Sequence, residues 1–181
     1  MSTAATTTVG TTTPRSAAQR FAHLLWQASR LLECIPYSAI ALLARFSIAA
    51  VFWLSGQTKV QGFALNFISG DFHLGWPMLS DSAVTLFREE YRLPLIAPEL
   101  GAVLAATGEH VLSVLLLFGL GTRFAALGLL GMTLVIQLLV YPGAYPTHGT
   151  WAALLLLLAA RGGGVLSLDH WLARKAPAWT P

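Results

Sequence analysis

The chain has 181 residues, of which 55% are hydrophobic and only 10% are charged. Because soluble domains typically carry about a quarter charged residues, this composition excludes an ordinary water-soluble domain and predicts one small membrane domain. The formal net charge of +3 comes mostly from basic residues outside the apolar runs, which indicates anionic lipid headgroups as partners and no nucleic acid.

The first 36 residues divide at about residue 16. Residues 1–16 are rich in Thr, Ser and Ala, and they have too little apolar surface to fold, which predicts a disordered tail. In residues 17–36 the apolar side chains recur at helical spacing, which predicts an amphipathic juxtamembrane helix on the membrane surface that Pro36 ends. A helix packed on a soluble partner is the alternative. The apolar positions are Phe21, Leu24, Leu25, Ala28, Leu31 and Leu32.

Four hydrophobic runs follow and define a predicted transmembrane domain over residues 37–166. Each run is long enough, at about 1.5 Å per residue, to cross about 30 Å of hydrocarbon, although Arg161 and three glycines interrupt the last. Short connections between the last three runs predict antiparallel neighbours. The predicted fold is therefore all-α, an antiparallel four-transmembrane-helix bundle with amphipathic surface helices at both ends. The runs cover residues 37–56, 97–120, 124–141 and 147–166.

The distribution of Lys and Arg predicts the orientation of the helices. Basic residues precede the first run, occupy the connection before the third and follow the fourth, so both termini are predicted to be cytoplasmic. The connection at residues 57–96 then lies outside as a lid, with a short helix capped by Ser80 or Asp81. Residues 167–181 are predicted to form a second amphipathic surface segment, with Ser167 as its cap.

Charged side chains lie on the first two runs. Helical geometry places Arg45 and Lys59 on one face of the first run, while Glu99 and His110 share a face of the second, with Glu109 at its border. Counted from the outer helix ends, Arg45 and Glu109 are level, and Lys59 and Glu99 are level nearer the surface. An unpaired charge near mid-bilayer costs about 2.5–3.5 kcal/mol. The sequence therefore predicts two ion pairs, Arg45 with Glu109 and Lys59 with Glu99.

The roles of these residues stay open in the sequence. The pair of Arg45 and Glu109 either only clamps the helices or acts in function. Lys59 either snorkels to the interface or binds a ligand, and His110 is either a hydrogen-bonded bundle histidine or a proton carrier. His148, at the start of the fourth run, is either an interfacial residue or part of a binding site.

Metal and redox motifs are absent from the sequence. The five histidines have no HxxxH or HxxE spacing, so no metal site is predicted, and no haem or flavin motif is evident. Cys34 is the single cysteine, which excludes an intrachain disulfide or a CxxC pair. Redox chemistry would therefore need a borrowed cofactor or a partner protein.

The order and spacing of several motifs resemble the DoxX family over residues 39–172. The matching features are an Arg in the first helix followed by SG and Lys, a Glu in the second helix, a GLGTR turn, and a glycine-rich turn before SLD. They lie at Arg45, Ser55, Gly56, Lys59, Glu109, Gly119 to Arg123, and Ser167 to Asp169. The resemblance implies a small four-helix, multi-pass protein of the bacterial inner membrane.

The resemblance also implies a functional class. The family takes its name from a subunit of a thiosulfate:quinone oxidoreductase, and other members are associated with membrane redox, oxidative-stress or metal-handling systems. Many members have no demonstrated activity. Related four-helix redox proteins use a cysteine pair, which this chain lacks, so thiol-disulfide chemistry by this chain alone is not expected. We therefore expect an accessory or quinone-interacting subunit with membrane or periplasmic protein partners, and leave a homo-oligomer open.

The expected ligand site has Lys59, Glu99 and His148 at its rim, with Arg45 and Glu109 below them and His110 beside Glu109. Quinone is the candidate cofactor, since an ammonium and an imidazole can donate hydrogen bonds to its carbonyls and a carboxylate can take protons. No self-contained catalytic motif is evident, so the catalytic residues, and whether the chain is an enzyme, are left undecided. The alternative function is a non-catalytic membrane scaffold or small-solute carrier.

Overall fold

A computed structural model describes residues 17–66 and 69–175, so the predicted tail at residues 1–16 lies outside the described residues. Helix α1 spans Ala17–Glu33, and it belongs to a compact unit that ends at Pro36. The helix that the periodicity of the apolar residues predicts is confirmed. Pro36 follows its end because proline cannot continue a helix. The second unit begins at Tyr37.

The described part of the second unit contains four long α-helices and two short ones. Three segments in the described part of the chain, Tyr37–Gln57, Pro98–Phe118 and Thr122–Val140, are long and apolar enough to cross a membrane. The last of these consists of an α-helix and one π-helical turn. The long helices are α2 (Tyr37–Gln57), α4 (Pro98–Phe118), α5 (Thr122–Val135, followed by the turn Ile136–Val140) and α6 (Tyr145–Arg161).

The fourth run is shorter than the sequence predicts. Helix α6 has 17 residues and ends at Arg161, five residues before the expected end at position 166. The reason is Gly162, whose φ of +78° and ψ of −173° form an extended backbone conformation with positive φ that glycine adopts without a steric penalty. At about 1.5 Å per residue, α6 measures about 25 Å.

The core lies between these four helices. Helix α2 contacts α4 and α6, and α5 contacts the same two helices. Small side chains such as Ala41, Ala44 and Ala126 are fully buried in the core, which lets the helix backbones approach closely. Larger apolar side chains fill the remaining volume, among them Ile48, Phe52, Leu116, Leu129, Leu155 and Leu158.

A two-stranded antiparallel sheet follows α2, so the predicted all-α class is wrong in this segment. Strands β1 (Val60–Asn66) and β2 (Asp71–Leu79) pair from Val60 opposite Leu79 to Asn66 opposite Asp71. The period-two alternation of Phe72, Leu74, Trp76 and Met78 is the sequence signal for β2. The prediction of a lid with one short helix does not include these strands.

The remainder of the predicted lid is helical. Helix α3 (Asp81–Leu86) begins after Ser80, whose side-chain oxygen accepts a hydrogen bond from the Ala83 N–H, as the predicted cap requires. A π-helical turn at Phe87–Tyr91 continues it. Ala83 and Phe87 pack with Ala102 of α4 in a small second core, which attaches this segment to the first turns of α4.

The last described element is α7, at Leu168–Lys175. Ser167 caps it, since its Oγ accepts a hydrogen bond of 3.3 Å from the His170 N–H. The predicted cap of this C-terminal helix is therefore confirmed. Residues 176–181, the end of the predicted amphipathic segment, lie outside the described residues.

Candidate functional site

A buried ion pair joins the end of α2 to the middle of α4. Lys59 lies in the turn after α2, and its side chain returns along the helix, so that Nζ lies 2.8 Å from Oε2 and 3.0 Å from Oε1 of Glu109. Ser55 completes the cluster by donating to Glu109 Oε1 at 2.9 Å and accepting from Lys59 Nζ at 3.1 Å. The side chains of Lys59 and Glu109 are 4% and 3% exposed, so this cluster is a closed, charge-balanced site.

Both predicted ion pairs are therefore wrong. The prediction places the outer ends of the first two helices at one level. In the structure Gly56 is beside Glu109 and His110, since a Cβ on Gly56 would lie 2.8 Å from the His110 ring and 3.2 Å from Glu109 Cβ. Gly56 is next to the last residue of α2, whereas Glu109 follows Pro98 by eleven positions. Helix α4 consequently extends about 16 Å beyond the end of α2. Glu109 is therefore level with Lys59 and not with Arg45.

Arg45 forms hydrogen bonds with backbone carbonyl groups and not with a carboxylate. Its guanidinium donates to the carbonyl oxygen of Leu117 at 3.2 Å and to that of Leu166, and the residue is 1% exposed. Nε has no hydrogen-bond partner in the described part of the chain. Because Leu117 is in the last turn of α4 and Leu166 lies in the loop before α7, Arg45 joins the C-terminus of α4 to this loop through two carbonyl groups.

Glu99 lies away from this cluster. Its Oε1 is 2.6 Å from Nη2 of Arg88, and the two side chains are 59% and 60% exposed. The partner comes from the π-helical turn of the lid segment, which packs on the first turns of α4. Glu99 therefore belongs to an exposed surface pair, which contributes little to stability.

His110 is part of a hydrogen-bonded chain that reaches the hairpin. Gln57 Oε1 accepts a hydrogen bond from the Leu65 N–H at 2.7 Å. This bond orients the Gln57 side-chain amide so that Gln57 Nε2 donates to His110 Nε2 at 2.7 Å. His110 Nδ1 lies 2.7 Å from the carbonyl oxygen of Ala106. A carbonyl only accepts, so the ring donates from Nδ1 and accepts the Gln57 amide at Nε2. This arrangement favours a structural role for the imidazole, which joins α4 to β1.

His148 makes a comparable contact between α5 and α6. Gln137 Nε2 donates to the carbonyl oxygen of Pro142 at 2.7 Å, and its Oε1 lies 2.7 Å from His148 Nδ1. The His148 ring also packs at 5.1 Å from that of Trp151. Gln137 therefore joins the end of α5 to α6. The contacts of Lys59, Glu99 and His148 are with three different partners.

Two tyrosines connect the lid segment to the end of α5. The hydroxyl of Tyr141 donates to the carboxylate of Glu90, and the Tyr91 ring lies 6.2 Å from that of Tyr141. Burial, followed by the negative charges that Tyr141, Glu109 and Glu90 carry when ionised, raises the pKa of Tyr91 to about 12. The phenol of Tyr91 is therefore neutral across the physiological range and can donate a hydrogen bond.

Trp53 is in the wall of two cavities. One, of about 480 Å³, is bounded by the hairpin and α4 and has Thr107 and His110 in its wall. The other, also about 480 Å³, is almost wholly apolar and includes Ser113. Ser113 is buried, and no described residue provides a hydrogen-bond partner for its Oγ. The Nε1–H of Trp53 donates to Leu65 O at 2.8 Å, which fixes the ring in these walls.

Sequence reasoning missed Gln57 and Trp53. Gln57 has a signal, because an amide two residues before the charged Lys59, at the end of an apolar run, needs a partner. Trp53 gave none, since an aromatic residue in a hydrophobic helix is ordinary. Across the described ranges, no group of three or more His, Cys, Asp or Glu side chains could hold a metal ion.

Comparison with known families decides what class of protein this is. A family model of DoxX matches residues 40–142, which is more than half of the chain. The chain belongs to the DoxX family. No curated protein and no solved structure matches it.

The DoxX match covers Arg45, the buried pair of Lys59 and Glu109, and the neighbouring His110, but it ends before His148. Together with three helices in the described residues that are long and apolar enough to span a bilayer, it identifies an integral membrane protein whose helices contact lipid. The apolar side chains exposed on these helices, including Leu43, Phe46, Leu104 and Leu127, are suited to a hydrocarbon environment.

Proposed function

We propose that this DoxX protein is an accessory subunit of a membrane redox system and binds a quinone beside Trp53. The observation that supports this proposal is the pair of cavities that share Trp53, one apolar and one with polar groups in its wall. A quinone has the matching division into an apolar tail and a flat head with two carbonyl acceptors. The proposed site for the quinone head differs from the one that the sequence predicts at Lys59, Glu99 and His148. Glu99 pairs with Arg88, and His148 contacts Gln137.

The chemistry of the cavity next to the hairpin suits a flat ring. Trp53 and Phe63 offer aromatic surfaces, with ring centroids 6.5 Å apart, and the exposed Thr107 provides a hydroxyl donor in the same wall. In the apolar cavity, the unpartnered Oγ of Ser113 is a further hydrogen-bonding group. Aromatic walls with few polar groups are typical of cofactor pockets.

The buried pair of Lys59 and Glu109 would support this site from behind. Glu109 precedes His110, and His110 lines the cavity, so a rigid, neutral ion pair keeps this part of α4 in place. A bound quinone would supply reversible two-electron, two-proton chemistry. This chain has no cysteine pair, so we assign the electron donor to a partner protein and give no residue of this chain a catalytic role.

The proposed membrane arrangement has four antiparallel transmembrane helices within residues 37–166. Contacts of Gly56 with Glu109 and of Arg45 with Leu117 support opposite directions for α2 and α4. The excess of Lys and Arg at the end that includes Arg123 and Arg161 supports a cytoplasmic location for it and for both termini in a bacterial inner membrane. In this arrangement residues 17–36 and 167–181 lie on the membrane surface, and residues 57–96 cover the opposite end.

Quinone binding can be tested with the purified protein in detergent. We would titrate a short-tailed ubiquinone and follow tryptophan fluorescence, comparing Val103→Trp with Leu104→Trp. Val103 lines the cavity next to the hairpin, whereas Leu104 is exposed on the adjacent position of α4. We expect Val103→Trp to weaken binding at least tenfold and Leu104→Trp to leave it unchanged. Equal affinities in the two variants, or no saturable binding in the parent, would refute the proposal.

A non-catalytic scaffold is the second candidate. It is supported by the closure of the Lys59 and Glu109 cluster and by the hairpin, where Leu74 and Trp76 are 82% and 85% exposed. Exposed apolar side chains of this size are common where proteins associate. Co-purification of a redox or metal-handling protein that is lost in Leu74→Ser/Trp76→Ser, combined with no quinone binding by the parent chain, would favour the scaffold.

A further inference from the structure

Two arginines stand at a groove formed by the ends of α5 and α6 and the glycine turn after α6. The groove has a volume of about 540 Å³, and Arg123, Arg161, Tyr37 and His170 are in its wall. It is separate from the cavities beside Trp53, since it has no lining residue in common with them. Arg123 is the second residue of α5 and Arg161 the last of α6.

Both arginine side chains lie beside the glycine turn. The Arg161 guanidinium lies over the Tyr37 ring at 5.4 Å from its centroid, and the Tyr37 hydroxyl donates to Gly162 O at 2.7 Å. A Cβ on Gly162 would be 3.7 Å from Arg123 Nε, so Arg123 passes directly beside the same residue. Arg123 Nη1 also donates to the carbonyl oxygen of Ala159 at 3.4 Å. Both side chains are exposed, and these contacts leave most of their N–H donors available.

The positive charge of this pair is not compensated within the groove. Asp169 is the acidic side chain in its wall, but its carboxylate accepts hydrogen bonds from the N–H groups of Gly121 and Thr122 at 2.7 and 2.8 Å. Buried Arg45 acts on Asp169 electrostatically and offsets its charge. Neither Arg123 nor Arg161 forms an ion pair with a carboxylate in the part of the chain that the structure describes.

The chemistry of this groove favours a phosphate group. A guanidinium binds phosphate oxygens through two parallel N–H donors, and two such groups at one turn can share a phosphodiester. The N-terminus of α5 is not available for this purpose because Asp169 already occupies its N–H groups. Basic pockets between the ends of membrane helices are also typical sites for anionic lipid headgroups.

We propose that Arg123 and Arg161 bind the phosphate of an anionic phospholipid in this groove. The shared chemistry is that of a phosphate ester anion, so free phosphate is the other source that the experiment must separate. The site would attach the ends of α5 and α6 to the lipid surface at the glycine turn. It is independent of quinone binding, because it lies at the opposite end of α2 from Gln57 and the hairpin.

The test is lipid binding to the full chain in mild detergent, counted by native mass spectrometry. Phosphatidylglycerol is compared with zwitterionic phosphatidylcholine, and separate samples receive inorganic phosphate. In Arg123→Gln/Arg161→Gln we expect the affinity for phosphatidylglycerol to fall about tenfold or more. The matched control is Arg174→Gln/Lys175→Gln, which removes two charges from the exposed end of α7 and should bind as the parent does.

Each result has a defined meaning. Recovery of binding in Arg123→Lys/Arg161→Lys would support the site by showing that charge, and not folding, was lost in the glutamine variant. Displacement of the lipid by millimolar inorganic phosphate in the parent alone would support the same residues with free phosphate as the ligand. The proposal would be overturned if the glutamine variant and the α7 control lost phosphatidylglycerol equally. It would also be overturned if the parent did not prefer phosphatidylglycerol to phosphatidylcholine and inorganic phosphate had no effect.

Discussion

Lys59 and Glu109 form an ion pair in which Nζ lies 2.8 Å from Oε2 and both side chains are nearly inaccessible to solvent. The pair links the turn after α2 to the middle of α4, and Ser55 makes hydrogen bonds to both partners. Because the two charges cancel and their hydrogen bonds are largely made, the pair is tolerable in a membrane interior, where either charge alone would not be.

Removing one partner of this pair should destabilise the protein strongly. Lys59→Met leaves the buried carboxylate of Glu109 without its cation, which typically costs about 3–5 kcal/mol. The measurement is the free energy of unfolding, from denaturant titration in mixed micelles followed by circular dichroism. The double variant Lys59→Met/Glu109→Leu should recover most of the loss, since it removes both buried charges.

The exposed pair of Arg88 and Glu99 provides the control for that experiment. Its N···O distance of 2.6 Å is even shorter, but its side chains are 60% and 59% exposed. Arg88→Met should therefore cost at most about 1 kcal/mol. If Arg88→Met destabilises as much as Lys59→Met, burial is not what distinguishes the two pairs.

A second prediction concerns the turn between α4 and α5. Gly119 and Gly121 both have left-handed backbones, with φ of +68° and +58°, so alanine at either position should cost about 1–2 kcal/mol. A Cβ at Gly119 would also overlap Arg45 Nη1 and lie 2.6 Å from Ser167 Cβ, whereas one at Gly121 would meet nothing within 4 Å. Gly119→Ala should therefore lower the melting temperature clearly more than Gly121→Ala, and equal shifts would show that Arg45 does not occupy this space.

The helical part of the fold could be predicted because its signal is local. Apolar runs define α2, α4 and α5 to within a few residues, and Ser80 and Ser167 cap helices as their sequence context indicates. The hairpin also has a local signal in the alternation from Phe72 to Met78. The sequence prediction does not include the hairpin, because a membrane composition favours helices over strands.

The charge pairs could not be predicted because they depend on how far one helix extends past another. Rotational position on a helix follows from sequence, and both Arg45 and Lys59 do face α4. The offset between helix ends is set by the packing of the hairpin and α3 against the first turns of α4. That tertiary contact moves Glu109 from the level of Arg45 to that of Lys59.

The pH dependence of stability should reveal the role of Asp169. Partial burial alone would raise the pKa of this carboxyl, but hydrogen bonds from Thr122 and Gly121 and the charge of Arg45 outweigh it and lower the pKa. A folded-state pKa below the unfolded value, about 3.9, means that the stabilisation is present above that value and is lost as the pH falls through the folded pKa. We expect the melting temperature to decrease below about pH 4.

The variant Asp169→Asn isolates this contribution. It should be less stable than the parent at pH 6, because a neutral amide makes weaker hydrogen bonds to the two N–H groups. The difference in melting temperature between the two proteins should then shrink towards pH 3. As a control, Asp71→Asn changes an exposed acidic residue of the hairpin. A difference between the parent and Asp169→Asn that stays constant from pH 6 to pH 3 would contradict the assignment.

The last prediction concerns the attachment of the hairpin to α2. Leu65 is held at both of its backbone groups, since its N–H donates to Gln57 Oε1 at 2.7 Å and its carbonyl accepts from Trp53 Nε1 at 2.8 Å. Gln57→Leu removes the first bond and also the donor to His110. One hydrogen bond contributes about 1 kcal/mol, so the Leu65 amide should exchange its hydrogen about five- to tenfold faster.

Hydrogen exchange followed by mass spectrometry on peptides from β1 measures this effect. Gln61→Leu is the matched control, because Gln61 lies on the same strand with an exposed side chain. Exchange at Leu65 in this control should equal that of the parent. Unchanged exchange at Leu65 in Gln57→Leu would mean that Trp53 alone fixes the hairpin, and that the Gln57 amide serves His110 and not the strand.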